Sequence, residues 1–119
     1  MTDKNTQSLV EAAIKGLQDM KAVDIVSIDL SNIDNTFCKH FIICNGTSNT
    51  HVDSLAESVM ESVREECDDR PIHVEGRQVA QWILVDYADV IVHIFQKEYR
   101  DLYQLEDLWA DAIIKRIED

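Results

Sequence analysis

Trp82–Phe95 reads WILVDYADVIVHIF, two apolar runs, WILV and VIVHIF, joined by Asp86-Tyr87-Ala88-Asp89. Each run is too short for a typical helix and is rich in β-branched residues, so both are expected to be strands. The short link predicts an antiparallel hairpin. If both strands are central, their side chains are buried on one face or the other. Three features depart from an apolar ribbon: Trp82 at its start, the two aspartates at its turn, and His93 inside the second run.

Upstream, Gly76–Gln81 reads as a polar linker or a helical turn, and Ile72–Gly76 as a short strand or extended edge. Cys67–Pro71, CDDRP, is a helix stop. The helix it ends spans about His51–Glu66, with Val52, Leu55, Ala56, Val59, Met60 and Val63 as its apolar stripe. Glu57, Glu61 and Glu65 lie four apart on the opposite side, where like charges repel slightly. Packing must therefore hold this helix, and its acidic face is left for water or a basic partner. Asn45–Thr50, NGTSNT, is a polar turn that links it to a short buried strand, Phe41–Cys44. Ser31–Thr36 is turn-rich, and Asp24–Leu30 alternates as a strand with one apolar face. Leu9, Val10, Ala13, Ile14 and Leu17 mark a first helix, capped by Thr6 or Ser8 and ending near Met20 or Lys21. Downstream, Leu105, Leu108, Trp109, Ala112 and Ile113 recur at helical spacing and predict a final helix over 102–116.

The expected order is α-β-β-α-(β)-β-β-α, which implies an α/β fold in which helices pack on a mixed sheet. A length of 119 residues predicts one domain over 1–119. Net charge is −12, from 23 acidic and 11 basic residues. Such a field disfavours free nucleic acid and anionic membrane and suits a basic partner surface. The three cysteines, Cys38, Cys44 and Cys67, form neither a CxxC pair nor a ligand-spaced cluster. Reduced thiols in a cytoplasmic protein without structural zinc are expected. The opening MTDKNTQ shows no signal-peptide pattern, and no run is long enough to span a membrane.

Several residues invite chemistry. Gly46, Thr47, Ser48 and His51 sit at a strand-to-helix junction, where an anion could bind the helix N-terminus; a tight turn with an N-cap is the alternative. The segment lacks Walker glycine spacing and the lysine. Asp86 and Asp89 flank a turn and would hold magnesium only with a converging third ligand; Asx capping is the alternative. Nucleotidyl-transfer enzymes pair a Gly-Ser turn with strand carboxylates, but Thr47 displaces the serine here and no alternating acidic pair follows. His51 and His93 are acid–base candidates or hydrogen-bonded structural groups. Trp82 is a core aromatic or an interface anchor. Tyr99, Tyr103 and Trp109 read as an aromatic seam fastening the last helix.

The ordered set DIVSIDL (24–30), FIICNGTSNTHV (41–52), HVEG (73–76), WILVDYADVIVHIF (82–95) and YRDLYQLEDLW (99–109) resembles the ribosomal silencing factors, or iojap-like family. Asp34 falls near that family's polar loop. The resemblance implies a mixed-sheet α/β fold distantly like nucleotidyltransferases, with no catalytic set and no cofactor. It implies binding to a ribosomal protein on the joining face of the large subunit, which blocks association with the small subunit and lowers translation. It also implies a homodimer when free. On that reading Trp82, Ile83 and Leu84 form the apolar contact, and Glu75, Asp86 and Asp89 meet basic groups. A nucleotide-binding or nucleotidyltransferase-like activity through Gly46–Ser48 and the two aspartates is the alternative.

Overall fold

The computed structural model describes residues 4–31, 33, 38–105, 107 and 112–117. The elements run α1 (Lys4–Asp19), β1 (Val23–Asp29), β2 (His40–Gly46), α2 (Asn49–Cys67), β3 (His73–Glu75), β4 (Trp82–Asp86), β5 (Val90–Gln96), α3 (Lys97–Tyr103) and β6 (Ile113–Arg116). The strands form one mixed sheet in the order β3-β4-β5-β2-β1-β6. β2 and β5 pair in parallel, as the intervening α2 crossover permits; the other neighbours are antiparallel. The expected 82–95 hairpin is present, with Trp82 opposite Phe95 and Leu84 opposite His93.

Period-two alternation divides the sheet's side chains between two cores. Ile42, Cys44, Ile83, Val85, Val92 and Ile94 face α1 and α2. Val26, Ile28, Phe41, Ile43, Ile91 and Phe95 face the other way, where Trp82, Leu84, Tyr99, Leu105 and Ala112 pack against them. Burial on both faces explains why β2 and β5 read as continuous apolar runs.

The two long helices approach closely at Gly16, where an added Cβ would lie 2.7 Å from the Ser58 carbonyl oxygen. Ser58 Oγ donates to Gly16 O and Ser62 Oγ to Ala12 O, each at 2.7 Å. Each bond contributes about 1 kcal/mol. α1 ends in a Schellman arrangement: Ala22 N donates to Leu17 O, Lys21 N to Gln18 O, and Lys21 adopts φ 57°.

Two expectations change. Thr6 and Ser8 lie inside α1, which extends to Lys4, so neither is its N-cap. The final helix over 102–116 is replaced by α3 at Lys97–Tyr103 and the edge strand β6. α3 stops where Gln104 turns left-handed at φ 47°. Ile113–Arg116 then ladders onto β1, so tertiary pairing overrides the helical spacing of the apolar residues. Trp109 and Asp34 lie outside the described residues.

Candidate partner-binding face

Trp82, Leu84 and Asp86 share one face of β4, and register places His73 and Glu75 of β3 beside them. This is the face opposite α1 and α2. Trp82 and Leu84 are half-buried, whereas His73 and Glu75 are exposed. Trp82 stacks on Phe95 at 4.9 Å between centroids and 23° between planes, and meets Tyr103 of α3 at 5.0 Å. Its indole N–H donates to His93 Nδ1 at 3.2 Å. Tyr103 remains 51% exposed, so it extends the apolar surface outward from Trp82, and its neighbour on α3, Leu102, is 71% exposed. The sequence marked Tyr103 as part of a seam but gave no sign that Leu102 is presented.

His93 is 5% exposed, and burial lowers its pKa to about 4. Phe41 meets it edge-on at 4.9 Å. The ring is therefore neutral at physiological pH and set among aromatics, unlike an acid–base group poised near 7.

Ile83 does not fit the expected contact surface. Alternation turns it to the helix side, where it is fully buried. Asp86 and Asp89 lie at the far end of the hairpin, about 13 Å from Trp82 at the rise of an extended strand. Asp86 Oδ1 accepts from Ala88 N at 2.7 Å, an Asx turn that supports the left-handed Ala88. Asp89 Oδ2 lies 3.7 Å from Lys39 Nζ on the surface. Among the described residues no group of three His, Cys, Asp or Glu converges as a metal site.

The Gly46–His51 junction is closed by its own hydrogen bonds. Ser48 caps α2, its Oγ accepting from His51 N at 3.1 Å. Thr47 N donates to His51 Nδ1 at 2.9 Å, Thr50 N to Asn49 Oδ1, and Val52 N to Ser48 O. His51 Nε2 donates to Met20 O at 2.7 Å, tying α2 to the end of α1. These amides would otherwise hold an anion. The capping alternative is the one observed, and His51 is a strap between helices.

Arg100 is a structural residue that sequence reasoning missed. It is 7% exposed, and its Nη1 donates to Asp24 O at 2.6 Å and Asn45 Oδ1 at 2.9 Å, fastening α3 to β1 and β2. Nothing local in KEYRDLY signals that this arginine turns inward. Burial pushes the Cys38 and Cys44 thiols up to about 11 and about 12, so both stay protonated and weakly nucleophilic. No helix among the described residues is long and apolar enough to cross a membrane.

The fold is a six-stranded mixed sheet with Trp82 fastened on the face away from α1 and α2. Residues 3–119 match the family model described as "Ribosomal silencing factor during starvation", and the chain belongs to that family. It is 36% identical over 111 residues to a ribosomal silencing factor of Bacillus subtilis, covering 91% of this chain and 90% of that one. The fold is similar to a crystal structure of a Chromobacterium violaceum protein, with TM-score 0.81 and 36% identity over 87% of this chain and 84% of that one. It is also similar to a crystal structure from Bacillus halodurans, with TM-score 0.77 and 31% identity over 95% and 99% of the two chains. These matches support the family resemblance and the mixed α/β fold; a nucleotidyltransferase relationship gains nothing from them.

Proposed function

We propose that this protein is a translational silencer, not an enzyme, that binds the large ribosomal subunit and blocks joining of the small subunit. Family membership over residues 3–119 carries the reading. The contact we assign is the β3–β4 face with the tip of α3. Trp82 and Leu84 supply the apolar centre, Tyr103 and Leu102 extend it, and Glu75 adds negative charge at its margin. Asp86 and Asp89 form a more distant acidic fringe at the hairpin turn. Burial of a large aromatic supplies much of the affinity at such interfaces. The net charge of −12 favours a basic ribosomal protein as the direct partner and speeds encounter with it.

A homodimer in the free state is a further part of this reading. It is supported by the position of β6 at the sheet edge, with no further strand beside it among the described residues and with Ile113 and Ile114 56% and 42% exposed. The nucleotide-binding alternative has no comparable support, because the Thr47, Thr50, His51 and Val52 amides are internally bonded and, among the described residues, the aspartates converge with no third ligand. The test is co-sedimentation with purified large subunits. Wild-type protein should migrate with them and lose affinity as salt rises. The Trp82→Ala variant should fold but remain largely in the free fractions. Equal co-migration of the two would remove Trp82 from the contact.

A further inference from the structure

We propose that His93 is a positioning residue for docking: its imidazole accepts the Trp82 indole N–H and fixes the plane of that ring on the binding face. This rests on the reading of Trp82 as the docking anchor. His93 belongs to β5 and lies opposite Leu84, diagonal to Trp82 across the hairpin. The two rings are 5.9 Å apart, tilted by 39°, with the Nε1–Nδ1 hydrogen bond at 3.2 Å. Because Nδ1 accepts, the ring proton of neutral His93 resides on Nε2. That buried N–H has no partner among the described residues.

An imidazole with one nitrogen unsatisfied is costly in an apolar slot that an aliphatic side chain would fill more cheaply. The hydrogen bond to Trp82 is the polar contact that accounts for a histidine here. Phe41 and Phe95 hold the imidazole, Phe95 at 6.4 Å and nearly parallel. Phe95 and Tyr103 hold the indole. A tryptophan fixed before contact loses less rotational freedom on binding.

The environment keeps the acceptor available. β2 presents Phe41 and Ile43 to this region, β4 presents Trp82 and Leu84, and α3 brings the phenols of Tyr99 and Tyr103 to the same cluster. Burial is the cause of the lowered His93 pKa, with no carboxylate or cation among the described residues contributing. Protonation would place an N–H on Nδ1 facing the indole N–H and break the bond.

The test uses the full chain with Trp109→Phe, which leaves Trp82 as the sole tryptophan. Its fluorescence should titrate with a midpoint well below 6.5, and this transition should vanish in His93→Leu. At neutral pH His93→Leu should bind large subunits about tenfold more weakly, the equivalent of one hydrogen bond and the ordering it provides. His93→Gln, which retains an acceptor, should recover part of that loss. If His93→Leu does not fold, Trp82→Phe reads the same bond from its other end and should weaken binding similarly. Wild-type affinity in His93→Leu, or in Trp82→Phe where it is used, would overturn the positioning role if Trp82→Ala still abolishes binding. Wild-type affinity in Trp82→Ala would instead overturn the docking reading on which it rests.

Discussion

Replacing Gly76 with alanine should damage the binding face without touching it. Gly76 has φ +90°, and a Cβ there would lie 2.1 Å from the Trp82 carbonyl oxygen, whereas real Cβ contacts stay above 3.0 Å. The loop must therefore retreat by about 0.9 Å or more. It is held by Ala80 N to Gly76 O at 2.9 Å, and Gln96 binds Ala80 O and Gln81 O from the other side of the hairpin. A left-handed alanine costs about 1 kcal/mol, and overpacking against backbone adds about 1–3 kcal/mol. A total of about 2–4 kcal/mol corresponds to a Tm fall of roughly 8–16 °C for a domain of this size. Thermal denaturation followed by far-UV circular dichroism measures it, and large-subunit affinity reads the displacement of Trp82. Gly76→Asn separates the two causes. Asparagine tolerates positive φ but carries a Cβ, so it should fail nearly as badly as alanine. A Gly76→Ala protein with Tm within about 2 °C of wild type and unchanged affinity would refute the reasoning.

Gly16→Ala gains about 1 kcal/mol of helix propensity but drives a Cβ to 2.7 Å from Ser58 O at the α1–α2 contact. Overpacking costs about 1–3 kcal/mol, so the net effect should be a loss of up to about 2 kcal/mol in guanidinium unfolding; a stabilised variant would show that the helices readily part. Arg100→Met should cost about 2–4 kcal/mol, because Asn45 Oδ1 and Asp24 O lose a buried charged donor. Limited proteolysis should then cut near α3 first, and an intact α3 would contradict the pinning role. Acid should destabilise the fold through His93, whose pKa lies at about 4 when folded. The contribution is fully present above about 6.5 and falls as pH drops toward 4, by about 3 kcal/mol in all. His40, also lowered mainly by burial, acts in the same direction. Urea midpoints for wild type and His93→Gln should converge across this window, and parallel pH profiles would contradict the assignment.

The hairpin was legible because short β-branched runs around a four-residue link leave few alternatives. The buried centre was legible in β2, whose apolar residues occupy both parities. An N-cap at the Gly46–His51 junction was legible because a polar turn precedes a strong apolar stripe. Ile83 was misassigned because adjacency in sequence suggested a shared surface, while strand alternation sends it to the opposite face from Trp82. The C-terminal segment was misread because Leu105, Ala112 and Ile113 fit a helical period. Its actual course depends on Gln104 turning left-handed and on β1 offering a free edge, and neither is encoded locally. The inward turn of Arg100 has the same character: its partners are 55 and 76 residues away in the chain. Trp82 and His93 stood out as departures from an apolar ribbon, but the bond between them requires the hairpin register.

Subunit joining is the most direct measure of the central claim. Purified small and large subunits are mixed under associating conditions with increasing amounts of this protein and resolved on a sucrose gradient. Silencing by occupation of the joining face predicts fewer joined ribosomes, with the protein in the large-subunit peak, and restored joining with Trp82→Ala. Undiminished joining at saturating protein, even with the protein bound to the large subunit, would contradict it.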